Sequence, residues 1–213
     1  MRPRGLAPPN GSVKPPRRRR LLPRPTPERV HSGAIFLVGM MGSGKTTVGK
    51  ALARRLGLSF FDADLEVTAR SGVSIPTIFD IEGEVGFRRR EHAVLAELAR
   101  LRDAVIATGG GAVLDPENRR LMRENGTVIY LNVSLEHLHH RTARDMNRPL
   151  LAQSADRRAT LSALLSARDP LYREAAHCVI EGGAESASAL ASRIAEMLER
   201  PGQRRAPSGE CSP

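Results

Sequence analysis

The chain is 213 residues long, 40% apolar and 3% aromatic, has no Trp, and carries a formal net charge of +10. That length suggests one domain, with aliphatic packing in its core, and no apolar run approaches the roughly 18 residues that would cross a membrane. Two cysteines, Cys178 and Cys211, make no disulfide framework, which points to a reducing cytoplasm.

The charge belongs to the ends. Residues 1–33 hold nine Lys or Arg against one Glu, together with eight of the fifteen prolines and the run Arg17-Arg18-Arg19-Arg20. Residues 200–213 hold three Arg against one Glu, and residues 34–199 balance at 21 basic and 21 acidic. Segments so rich in Pro and Arg bury too little apolar surface to offset their ordering entropy. Residues 1–33 and 200–213 therefore read as disordered tails around one folded domain, 34–199. The basic tail stays open to three uses besides a dispensable extension: a nucleic-acid or anionic-surface contact, a transit peptide, or a secretion signal. Scarce Ser and no amphipathic period count against the second. The lack of an apolar stretch after the charges counts against the third.

Ala34-Ile35-Phe36-Leu37-Val38 is a continuous apolar run and predicts a buried parallel strand. Gly39-Met40-Met41-Gly42-Ser43-Gly44-Lys45-Thr46 follows and fits G-x-x-x-x-G-K-[ST]. In that pattern Gly42, Ser43 and Gly44 let backbone N–H groups approach phosphate oxygens. Lys45 adds a point charge for the β- and γ-phosphates, and the Thr46 hydroxyl is set to ligate Mg²⁺. Helix formers with Val48, Leu52 and Leu56 at a spacing of four predict a helix over 46–56, so that the loop and Thr47 lie at a helix N-terminus suited to an anion.

Leu58-Ser59-Phe60-Phe61 is the second predicted strand and ends at Asp62-Ala63-Asp64. A helical stretch from about 74 to 101 is interrupted at Gly83 and Gly86. Val105-Ile106-Ala107 predicts a third strand that runs into Thr108-Gly109-Gly110-Gly111, and Pro116 opens another helix at its first turn. Thr127 to Leu131 is a fourth strand, and Ser134 caps the helix after it. The polar segment 144–156, with Arg148 and Pro149, breaks the pattern and reads as a lid. A helix over 157–176, a fifth strand at His177-Cys178-Val179-Ile180 and a helix over 185–198 complete the domain. The alternation predicts a five-stranded parallel sheet with helices on both faces, its ligands at the carboxyl ends of the strands.

The segments Gly39 to Lys50, Phe61-Asp62-Ala63-Asp64, Gly83-Glu84 with Gly86-Phe87-Arg88, Thr108 to Gly111, Arg148-Pro149-Leu150 and Pro170-Leu171-Tyr172-Arg173 together resemble the shikimate kinase family of P-loop kinases. The resemblance spans about 34–198 and omits both tails. The phosphate loop alone is common to many NTPases; the joint set is far more specific. The resemblance implies transfer of the ATP γ-phosphoryl group to the 3-hydroxyl of shikimate. It assigns Asp64 to the substrate hydroxyls as candidate base, Asp62 to Mg²⁺ through water, and Arg88 and Arg173 to the substrate carboxylate. Gly110 and Gly111 would line the substrate site. Arg148 would reach the transferring phosphate beside Lys45, and Arg141 would lie against the adenine. A cytoplasmic monomer acting on free ATP and shikimate is expected. A gluconate-kinase-like enzyme on the same fold, and a non-catalytic relative, are the alternatives; at least one of Arg89 and Arg90 is expected to be a plain solvated charge.

Overall fold

A computed structural model of the chain describes residues 33–143 and 156–199. Both tails, and all but the last residue of the predicted lid with Arg148, lie outside the described residues.

Five parallel strands, β1 (Ala34–Val38), β2 (Ser59–Asp62), β3 (Ala104–Ala107), β4 (Gly126–Val133) and β5 (Cys178–Gly182), form one sheet in the order β2-β3-β1-β4-β5. β1 is central and every one of its residues is buried. Its side chains alternate between the two faces, as the two-residue period of a strand requires. Ala34, Phe36 and Val38 join one apolar cluster, and Ile35 and Leu37 join the other.

Among the described residues, seven α-helices cover those faces: α1 (Lys45–Leu56), α2 (Ala63–Ser71), α3 (Ile75–Leu98), α4 (Pro116–Asn125), α5 (Leu135–Thr142), α6 (Arg157–Ala175) and α7 (Ala187–Glu199). α1 and α7 pack together over Ile35, Leu37, Val105 and Ile129. The opposite cluster takes Leu95 and Leu98 from α3, Met122 from α4, Leu138 from α5, and Leu161 and Tyr172 from α6. No described helix is long and apolar enough to cross a membrane.

The strands and most helices match the sequence expectation to within a residue or two. The region after β2 is a correction. Asp64 does not extend the strand: β2 stops at Asp62, and α2 begins at Ala63. The Asp62 carboxylate accepts from the backbone N–H groups of Asp64 and Leu65, the usual task of an N-cap aspartate. Asp64 and Glu66 then sit in the first turn, where negative charge suits the helix dipole. The break in the long helix falls at Gly83, whose φ of 67° no helix accommodates, while Gly86 lies inside regular helix. Cys178 is half-buried in β5.

Candidate active site

The carboxyl ends of β1, β2 and β3 open on one cleft of about 370 Å³, lined by the loop 41–47, Asp62, Asp64, Gly110 and Arg141. The sheet order sets this up, because β2 and β3 deliver Asp62 and the 108–111 turn beside the loop that follows β1.

Gly42 and Gly44 take positive φ values of 80° and 92°, which turn the loop back over the first turn of α1. Gly44 is the N-cap of α1 and supplies no side chain to the helix, so no side chain caps the first-turn N–H groups. Lys45 Nζ donates to Gly39 O at 2.7 Å and Met40 O at 2.9 Å, so the ammonium is folded along the rim of the loop. The Ser43 hydroxyl is buried without a hydrogen-bond partner in the same loop. Such an orphaned polar atom fits a phosphate-lined site better than a plain turn. Arg141 donates to Gly42 O at 3.4 Å and to Gly183 O at 3.1 Å, closing the far end of the cleft. Gly183, Glu185 and Ala187 line that end too.

Thr46 Oγ1 donates to Asp62 Oδ2 at 2.7 Å. Here a hydroxyl meets a carboxylate next to the lysine, a pairing that fits a cation. Among the described residues no three His, Cys, Asp or Glu side chains gather to cage a metal. One hydroxyl beside one carboxylate suits Mg²⁺, which keeps several waters and takes phosphate oxygens alongside one or two protein groups.

The second half of the site is built on the three-glycine turn. Arg88, on α3, donates through Nη1 to Glu91 Oε2 at 2.6 Å and through Nη2 to Glu84 Oε1 at 2.9 Å. Its guanidinium lies so close over Gly111 that an added Cβ there would be 2.6 Å from Cζ. Burial would lower the Arg88 pKa, yet the two glutamates outweigh it and raise it. Glu91 is 1% exposed, and its Oε1 has no hydrogen-bond partner. A Cβ added at Gly109 would collide with that oxygen and lie 2.8 Å from Asp64 Oδ1, so Asp64 and Glu91 converge on Gly109. Burial holds the Glu91 carboxyl above the usual carboxylate range, Asp64 adds to the rise, and Arg88 and Arg168 oppose it.

Two arginines on α6 have different surroundings. Arg173 pairs with Asp169 at 2.7 Å, is half-exposed, and lies against the Tyr130 ring. Arg168 is 4% exposed and donates to Gly110 O at 3.3 Å. Beside it, Tyr172 donates its hydroxyl to the same carbonyl, and burial pushes that phenol up to about 12. The sequence reading thus named Arg173, while the arginine at the glycine turn is Arg168. Glu91 was not anticipated either. Arg148 lies outside the described residues.

A phosphate loop, a hydroxyl–carboxylate pair suited to a divalent cation and, across Gly110, a neighbouring pocket lined by Arg88, Arg168 and acidic groups can together bind a nucleoside triphosphate and a small anionic acceptor. A family profile described as shikimate kinase matches residues 41–199. A shikimate kinase of Nitrosospira multiformis is 55% identical over 171 residues, 80% of this chain and 87% of its own. One from Bordetella avium is 54% identical over 175 residues, 82% and 83% of the two chains. Among solved structures, a shikimate kinase from Acinetobacter baumannii in complex with shikimate has a TM-score of 0.76 at 48% identity. That match covers 78% of this chain and 93% of the other.

Proposed function

The chain belongs to the shikimate kinase family, an ATP-dependent phosphotransferase of the shikimate pathway, and from that membership we propose how its residues move the ATP γ-phosphoryl group to the 3-hydroxyl of shikimate. The observation that carries the reading is the convergence of Asp64, Arg88 and Arg168 on the 109–111 turn, directly beside the phosphate loop. A relative solved with shikimate at 48% identity supports the same acceptor.

The backbone N–H groups of residues 42–47 and the Ser43 hydroxyl bind the phosphates, with Arg141 and the 183–187 turn bounding the nucleoside. Lys45 exchanges the carbonyls of Gly39 and Met40 for β- and γ-phosphate oxygens. Thr46, and Asp62 through water, would hold Mg²⁺, which when bound would supply positive charge to offset that of the phosphate oxygens. Arg148, outside the described residues, is assigned to the transferring phosphate.

Arg88 and Arg168 clamp the acceptor carboxylate, because a guanidinium offers a carboxylate two parallel donors that an ammonium cannot. Glu91 holds Arg88 in place. Gly110 and Gly111 let the acceptor ring approach the backbone. Asp64 accepts from the attacking hydroxyl, orienting it and taking its proton as the bond to the γ-phosphorus forms and the bond from that phosphorus to the bridging oxygen breaks, releasing ADP. Most of the rate gain in such a reaction comes from positioning and charge stabilisation rather than covalent chemistry. The enzyme acts as a cytoplasmic monomer on free ATP and shikimate.

A coupled ADP-release assay with MgATP, with and without shikimate, tests this, with mass spectrometry of the product. Shikimate-dependent release with one added phosphate on the acceptor is expected. ADP release that ignores shikimate and responds to gluconate instead would overturn the acceptor.

A further inference from the structure

Arg88 is engaged on two edges by acids that differ in freedom. Glu91 takes Nη1 and is 1% exposed; Glu84 takes the opposite edge and is 50% exposed. Glu84 meets that edge with one oxygen only: Oε1 accepts from both Nε, at 3.3 Å, and Nη2, at 2.9 Å. A carboxylate facing the same edge squarely would give each nitrogen its own oxygen, the stronger two-bond arrangement. Glu84 is thus a second-rate occupant of a first-rate carboxylate site.

Glu84 also has somewhere to go. It follows Gly83, where the helix is broken at a φ of 67°. It lines a hollow of about 670 Å³ together with Val85, Arg89, His92 and Leu114. Arg89, left without a task by the reaction, stands in that hollow. Charge argues the same way. Asp64, Glu84 and Glu91 set three carboxylates against Arg88 and Arg168, so a further anion is admitted more favourably when one of the three withdraws. Asp64 and Glu91 sit on the glycine turn, which leaves Glu84.

Given the reading of Arg88 as the acceptor's carboxylate clamp, on which this step rests, we infer that Glu84 is a placeholder counter-ion. It holds the Nε–Nη2 edge of Arg88 until the acceptor's carboxylate takes that edge, and then swings into the hollow beside Arg89. Glu84 thereby becomes a specificity-determining residue, because a neutral ring polyol has nothing with which to displace it and a carboxylate-bearing one does.

The test is shikimate binding by calorimetry and steady-state kinetics for the parent, Glu84→Gln, Glu84→Ala and Arg88→Ala. Both Glu84 variants should bind shikimate about two- to five-fold more tightly, the scale of a half-exposed ion pair. The KM for ATP should not follow this gain, a split between the two substrates that a merely structural role for Glu84 would not give. Unchanged or weaker shikimate binding in both variants, with binding lost in Arg88→Ala, would overturn the placeholder and leave the clamp standing. Undiminished binding in Arg88→Ala would overturn both.

Discussion

The Thr46 hydroxyl donates to Asp62 Oδ2 at 2.7 Å, while Oδ1 of the same carboxylate caps α2. One side chain therefore couples the corner proposed for the cation to the helix that carries Asp64. The two tasks separate by substitution. Asp62→Asn keeps an oxygen for the cap, and Asn caps helices as well as Asp does, so its stability should stay within a few tenths of a kcal/mol of the parent. Its Mg²⁺ requirement should rise about tenfold or more, as for other outer-shell metal partners. Asp62→Ala should lose about 1 kcal/mol as well. Urea unfolding and Mg²⁺ titration of the activity check both; an unaltered Mg²⁺ requirement in Asp62→Asn would remove Asp62 from the metal.

Gly111→Ala should act through Arg88 alone. The backbone at Gly111, φ −104° and ψ 0°, is open to alanine, but the new methyl would sit 2.6 Å from Arg88 Cζ. The guanidinium must move, and a misplacement of that order in a positioning group costs about a hundredfold at the upper end. The KM for shikimate should rise at least about tenfold on that scale, with the KM for ATP and the melting temperature little changed. Gly110→Ala, whose nearest neighbour is Met41 N at 3.3 Å, should disturb the phosphate loop instead and raise the KM for ATP.

Much of this site could be read before any coordinates. The apolar run 34–38 and the glycines after it fix the strand, the loop and the start of α1, and the structure places them there. Two features escaped because each needs a helical period rather than a motif. Along α6 the buried positions are Leu161, Arg168, Tyr172 and Ala175, spaced by seven, four and three. Arg168 lies on that stripe; Arg173, one residue past Tyr172, is turned about 100° away from it. Along α3 the buried positions Phe87, Glu91, Val94, Leu95 and Leu98 place Glu91 on the apolar face in the same way. A charged residue on a core stripe was the available signal. α2 escaped for another reason: Asp62-Ala63-Asp64 reads equally well as a strand end and as a cap with an acidic first turn. The strand order had no signal in the sequence at all, since it depends on which crossovers pack.

Glu91 should leave a mark on the pH dependence of stability. Burial raises its pKa, so the native chain keeps a proton there that the unfolded chain loses near the ordinary glutamate value of about 4.3. The stabilising contribution is complete below that value and declines as pH rises through the raised native pKa. Glu91→Gln cannot lose that proton. The unfolding free energy of the variant minus that of the parent should therefore move in the variant's favour as pH rises from the unfolded value through the raised native pKa, by about 1.4 kcal/mol for each unit by which the native pKa is raised. Urea midpoints of both proteins at several pH values measure this, and a flat difference would contradict the assignment.

Arg168 and Arg173 make the sharpest comparison, because they lie five residues apart on one helix and only one meets the glycine turn. Arg173 spends its charge on Asp169 and the Tyr130 face and is half-exposed, so Arg173→Ala should change the KM for shikimate by no more than about twofold, as for other surface pairs. Arg168 is buried, and it meets the glycine turn through a neutral carbonyl at 3.3 Å, with the Tyr172 phenol beside it, so among the described residues no carboxylate at that turn takes up its two-pronged donor face. A hydrogen bond to a charged group is worth about 1.5–3 kcal/mol, so Arg168→Ala should raise the KM for shikimate roughly 10- to 150-fold while the KM for ATP holds. Arg168→Lys keeps the charge but not the two-pronged donor, and should recover only part of the loss. If Arg173→Ala weakens shikimate and Arg168→Ala does not, the acceptor carboxylate lies on the Tyr130 side of α6, and the clamp drawn around Gly110 is wrong.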